Sequence, residues 1–202
     1  MSKINAVRLI NVNYNNNAYR ISDETLYFNG ESTLISLQNG GGKSVLVQML
    51  TAPFVHPKYR NTKDRLFESY FTTNKPSFIL VEWALDQGAG YVLTGLMVRK
   101  SQDMEEDRKE NLDIIGIVSE YQSPCIQDIH HLPVVEKGKK EMILKNFNSC
   151  RQLFETYKKD RDMKFFYYDL TNYAQSRQYF NKLMEYQINY KEWETIIKKI
   201  NL

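Results

Sequence analysis

Cysteine, histidine, proline and glycine are all scarce in this chain, and each scarcity argues against a class of protein. Its 202 residues include 2 cysteines, 3 histidines, 5 prolines and 9 glycines. Cys125 and Cys150 have no CxxC and no Cys/His spacing around them, which argues against a disulfide scaffold or a zinc site and fits a reducing cytoplasm. His130 and His131 are adjacent, so their rings diverge and chelate poorly; with His56 they read as surface or loop residues. Few Gly and Pro imply order through most of the chain, and the short Asn run at 15–17 is the only biased tract. No apolar run approaches the ~18 residues of a membrane-spanning helix, and "MSKINAVRLI" carries no signal-peptide stretch, so no membrane is expected as a partner. Charge is nearly balanced, 27 Lys and Arg against 24 Asp and Glu, which neither demands nor excludes a nucleic-acid surface.

What remains is an aromatic-rich chain, with 14 Tyr and 10 Phe, whose 42% hydrophobic and 25% charged content suits a globular domain. Its length suits one such domain with a sizeable core. Residues 4–13 alternate like a strand, "NYNNNA" is a turn, and 19–28 reads as a hairpin partner. "TLISLQ" (33–38) is a short apolar strand. From Lys43 the period changes: Val45, Leu46, Met49 and Leu50 form a helical stripe that Pro53 ends. A short helix is expected over 62–71, and two strong strands over 76–86 and 91–100, joined by "QGAG". The charged stretch 101–111 is the expected mobile loop. A strand over 112–121, an irregular stretch over 122–147, a helix over 148–159, a strand over 164–170 and a helix over 172–185 follow. An amphipathic helix over 190–202, with Trp193, Ile196, Ile197 and Ile200 at helical spacing, closes the sequence without a capping signal and reads as an element cut off in mid-run.

The chemistry sits in "SLQNGGGKSVLVQML" (36–50). A phosphate-binding loop is G-x-x-x-x-G-K-S/T between a strand and a helix. Its amides form a concave nest, the helix N-terminus adds a positive dipole end, the lysine reaches the β/γ-phosphates and the hydroxyl ligates Mg²⁺. Gly42, Lys43 and Ser44 match, whereas Leu37 stands where the leading glycine belongs. That position ends the preceding strand, so a leucine there is tolerable if it points into the core. Gln38, Asn39, Gly40, Gly41, Gly42, Lys43, Ser44 and Val45 are the candidate ATP cradle, with Ser44 on Mg²⁺. A Walker B carboxylate has two contenders, Glu82 after "ILV" and Asp169 after "FFYY", and both also fit ordinary strand ends. No S-G-G signature occurs.

The strand "VRLINVN", a second strand ending "LYF", and then "STLISLQNGGGKSVLVQML" resemble the start of an SMC-type ABC ATPase head, where the loop is usually written G-x-N-G-x-G-K-S. Asn39, Gly40, Gly42, Lys43 and Ser44 match it, and Leu37 departs from it. Among subfamilies the MukB-like condensins and Wadjet-type anti-plasmid ATPases are the most similar. The resemblance implies an α/β fold: a P-loop NTPase lobe of ABC/SMC head type, with a mixed sheet, an antiparallel β subdomain and flanking helices. It implies that 1–202 is one N-terminal head half, whose signature motif and Walker B belong to a C-terminal half beyond a coiled coil. Gln187, just before the closing helix, becomes a Q-loop candidate that contacts Mg²⁺ or the attacking water. Asn13, Tyr14 or Asn15 would lie towards adenine. Implied partners are the C-terminal half, a second head in a homodimer, DNA and kleisin-like subunits. Two basic clusters are candidate DNA contacts: Lys58, Arg60, Lys63 and Arg65, with Arg65 favoured, and Lys137, Lys139 and Lys140. A self-contained P-loop NTPase or kinase, and a non-catalytic interaction domain with a degenerate loop, remain the alternatives.

Overall fold

The computed structural model describes residues 2–38, 41–102, 111–123, 128–139, 141–160 and 164–200. Strands β1 (Lys3–Tyr14) and β2 (Tyr19–Tyr27) form the first hairpin, and helix α1 spans Lys43–Thr51. Strands β3 (Ser77–Ala84), β4 (Tyr91–Lys100) and β5 (Leu112–Tyr121) follow. A small hairpin of β6 (Val135–Lys137) and β7 (Met142–Leu144), helix α2 (Phe147–Asp160), strand β8 (Phe165–Asp169) and helices α3 (Tyr173–Glu185) and α4 (Tyr190–Ile200) complete the order.

Six strands form one sheet in the order β2-β1-β3-β4-β5-β8. Every pair within it is antiparallel, so the fold is mixed α/β with an antiparallel sheet. β3 and β4 are apolar on both faces because both faces are covered. One face carries Val7, Leu9, Ile79, Val81 and Trp83 under α1, α3 and α4. The other carries Ala6, Ile10, Phe78, Leu80 and Met97 under α2 and the segment around Ile129–Val134. The covering helices come very close at Gly116, where a Cβ would stand 2.7 Å from the ring of Tyr179. Only glycine fits there.

Three sequence expectations need correction. Residues 33–38 form no strand; Leu34 is 94% and Ile35 39% exposed, and Leu37 is half-buried rather than pointing into the core. A strand is held by ladder bonds and cross-strand pairs, and no backbone bond joins 33–37 to the described sheet. Residues 62–71 yield only a short 3-10 turn, Phe67–Tyr70. The side chain of Asn61 accepts from the Phe67 N–H at 2.8 Å and that of Thr62 from the Arg65 N–H at 3.1 Å, which diverts amides a helix would use. The stretch expected to be irregular over 122–147 contains the β6–β7 hairpin. Of the expected mobile loop, residues 103–110 lie outside the described residues, as do the last two residues of the closing helix.

Candidate phosphate-binding site

The chain enters α1 through a left-handed residue. Gly42 has φ 85° and ψ 20°, a conformation in which a side chain is strained, and it occupies the N-cap position. Just before it, the Gly41 N–H donates to the carbonyl of Gln38 at 2.9 Å, and a Cβ at Gly41 would meet that oxygen at 2.9 Å. The turn is therefore tight at two successive glycines.

No side chain caps α1. Its first intrahelical bond runs from the Leu46 N–H to the Gly42 carbonyl at 2.9 Å, so the preceding amides belong to the uncapped first turn. Lys43 and Ser44 are exposed beside them, as is Gln38. Val45 is buried at 3%, so its side chain anchors the helix in the core and only its amide faces the loop. Asn39 and Gly40 lie outside the described residues. An exposed helix N-terminus with a left-handed glycine and a lysine is the donor set a phosphate group requires. The described residues therefore offer the donor types a phosphate chain would use, with Ser44 exposed beside them.

The β1–β2 turn stands against this loop. A Cβ at Gly42 would lie 3.4 Å from the ring of Tyr14, and Tyr14 stacks on Tyr19 with centroids 5.3 Å apart and planes at 22°. Between them Asn15, Asn16 and Asn17 all adopt positive φ. The turn is pinned because Asn13 donates to the Thr72 hydroxyl at 3.0 Å, and Thr72 donates to the Asn17 side chain at 3.0 Å.

The carboxylate contenders are elsewhere. Glu82 follows Phe78 and Leu80 onto the sheet face opposite α1. There it accepts from the Tyr121 hydroxyl and from the Asn5 amide at 2.6 Å. Burial, and then the Glu82 charge, push the Tyr121 hydroxyl far above its ordinary range. Asp169 closes β8, four strand spacings or roughly 19 Å from β1, and accepts from the Thr171 N–H and hydroxyl. Neither reaches Ser44.

Gln187 is a further correction. The neighbouring Tyr186 carbonyl accepts from the Ser2 hydroxyl at 2.7 Å, which fixes Gln187 at the start of β1. Gly42 sits at the other end of that 12-residue strand, roughly 35 Å away at the usual rise. Gln187 thus cannot share a Mg²⁺ with Ser44 in this fold. Among the described residues no group of three His, Cys, Asp or Glu gathers as a metal site.

Arg60 is also corrected as a DNA contact. It is 1% exposed, and its Nε donates to the Ala52 carbonyl at 3.1 Å. Lys63 and Arg65 are exposed. The Tyr70 phenol, which donates to the Gln48 side chain at 2.7 Å, has its pKa raised by burial against the lowering effect of Arg65. Lys58 and Lys198 converge on the ring of Tyr59 at 4.9 and 5.1 Å, and the Lys198 hydrogen bond lowers the phenol pKa. In the second cluster Lys139 is exposed and Lys140 lies outside the described residues. His56 is more than a loop residue: its Nδ1 lies 2.6 Å from Glu194 on α4 and its ring stacks on Phe180 at 4.2 Å. Sequence reading missed Tyr19 too, although two tyrosines flanking an Asn turn mark a cross-strand pair.

Among the described residues no helix is long and apolar enough to cross a membrane. No protein-family model matches the chain, and no curated protein matches it.

Proposed function

We propose that this chain is the ATP-binding N-terminal lobe of an SMC-like ATPase head that acts on DNA in the cytoplasm. One observation supports the reading: the left-handed Gly42 opens an uncapped α1 with Lys43 and Ser44 exposed, and residues 33–37 before it have no backbone ladder partner among the described residues. A P-loop needs a strand before it, held in a sheet. Here residues 33–38 have the composition of that strand and an open flank for another segment to join. Among the described residues Glu82 and Asp169 are both remote from Ser44, and in this reading the carboxylate comes from a C-terminal half of the head.

In this reading the amides of 41–45 and the Lys43 ammonium bind the phosphates and Ser44 ligates Mg²⁺. The metal supplies charge neutralisation at the β/γ-oxygens. Hydrolysis waits for the C-terminal half and a second head, because positioning and charge stabilisation supply most of the rate. Lys63 and Arg65 are the DNA-contact candidates that remain after Arg60 is set aside.

Calorimetric titration of the 202-residue chain with Mg-ATP tests the proposal. Binding is expected, with Lys43→Ala weakening it at least about tenfold, the scale of one lost charge-assisted contact, and turnover near background. Robust hydrolysis by the monomeric chain would overturn the half-site reading. Absence of binding by the wild type would overturn the phosphate loop itself.

A further inference from the structure

A polar cleft of about 330 Å³ opens between the turn at Asn74, the end of β4 at Arg99 and the first turn of α2. It lies on the sheet face that Met97 and Phe147 occupy, whereas Val45 of α1 packs on the other. Arg99 is held twice. Its Nε donates to Asp113 at 2.9 Å, and its guanidinium carbon stands 4.0 Å from the centroid of the Phe147 ring. Its two terminal nitrogens have no partner among the described residues. Around it Asn74, Asn148 and Gln152 present side-chain carboxamides that make no hydrogen bond among the described residues. Asn11 fixes the turn that carries Asn74. It is 1% exposed with φ 56°, and donates to the Thr73 hydroxyl at 2.9 Å and to the Lys75 and Pro76 carbonyls at 3.3 and 3.2 Å. Asn146 caps α2 by accepting from the Ser149 N–H at 2.8 Å, so side chains rather than the helix end are what the cleft offers.

We infer that this cleft docks an acidic polypeptide segment of a partner protein, with one carboxylate on the Arg99 fork and the neighbouring peptide groups on the carboxamides. A guanidinium pairs with a carboxylate through two parallel N–H···O bonds. A carboxamide both donates and accepts, which matches the N–H and C=O of an extended chain. Charge complements this occupant. No carboxylate lines the cleft, and Lys75 and Lys145 lie near enough to Cys150 on α2 for their charges to oppose the burial that raises its thiol pKa. A nucleic-acid strand is the lesser fit, because unpaired bases stack on open aromatic rings. Phe147, the aromatic in the lining, is buried under Arg99. None of these residues belongs to the phosphate loop, so the cleft stands or falls apart from it.

The test follows the fluorescence anisotropy of a short labelled peptide of alternating glutamate and serine as the 202-residue chain is added. A peptide with glutamine for each glutamate and a labelled single-stranded oligonucleotide of equal charge are the comparisons. The wild type is expected to bind the glutamate peptide in preference to both. Arg99→Lys keeps the charge and loses the fork, and should weaken the peptide about tenfold, the scale of one charge-assisted hydrogen bond. Gln152→Ala, at an exposed helix position where alanine is favourable, should weaken it about threefold. It covers the case in which thermal melts show Arg99→Lys unfolded. Lys63→Ala removes a charge outside the cleft and should change nothing. The peptide site is overturned if the wild type does not bind the glutamate peptide, or binds the glutamine peptide or the oligonucleotide equally well. It is also overturned if folded Arg99→Lys, or Gln152→Ala, binds like the wild type, or if Lys63→Ala loses as much as Arg99→Lys.

Discussion

Removing the Tyr121 hydroxyl tests whether Glu82 is a structural or a nucleotide-handling carboxylate. Tyr121 is 4% and Glu82 3% exposed, so neither can turn to water when its partner is lost. Tyr121→Phe keeps the ring in its core and strips one donor from the Glu82 carboxylate. The Asn5 amide at 2.6 Å is then the donor left to it. A buried charged acceptor deprived of a donor costs on the order of 3 kcal/mol. For a chain of this length each kcal/mol moves the melting temperature by about 2–4 °C, so a fall of about 6–12 °C is expected. Calorimetry and urea titration read it, with Tyr173→Phe as the control because Tyr173 is 84% exposed. Adding Glu82→Leu to Tyr121→Phe should recover much of the loss, since an apolar pair leaves no orphaned charge. ATP affinity should stay level throughout, because Glu82 faces away from α1. A stability change below about 0.5 kcal/mol, the scale of an ordinary surface substitution, would refute the reasoning. So would an ATP affinity that falls with Glu82.

Two further outcomes follow from the packing. Phe54 is fully buried between Trp83 at 5.2 Å and Trp193 at 5.0 Å; Phe54→Ala should cost about 3–5 kcal/mol, shift tryptophan fluorescence and loosen α4, whereas an unchanged emission spectrum would contradict the cluster. Burial raises the hydroxyl pKa of Tyr121, Tyr179 and Tyr186 above the ordinary value; groups raised on folding contribute stability fully below the unfolded pKa of ~10 and lose it as pH rises towards the folded value. Urea midpoints should thus hold to about pH 9 and decline above about pH 10, less steeply in Tyr121→Phe, and a flat profile to pH 11 would contradict this.

The central strands and α1 were legible because their patterns are local. β3 and β4 are near-continuous apolar runs, and the period changes at Lys43, where the helix begins. The glycines before Lys43 matched a phosphate-binding loop, and Gly42 adopts a positive φ where the helix begins. What sequence did not disclose was spatial. Alternation places Glu82 on one face of β3 but does not say on which face α1 will lie. Gln187 follows α3 at a plausible spacing, yet the antiparallel order carries it to the start of β1. Arg60 sits in a basic run and is nevertheless drawn inward by the Ala52 carbonyl. The stretch 33–38 has strand composition, and composition cannot supply the neighbour that a strand requires.

That stretch has a practical cost. Leu34 and Ile35 stand in solvent in an uncharged, proline-free segment of high β-propensity, and among the described residues the edge strand β2 has no partner on its outer side. Such a segment templates the same segment of another molecule. At high concentration the isolated chain will therefore self-associate through 33–38, and a charged substitution at Leu34 is the first change to make when preparing it.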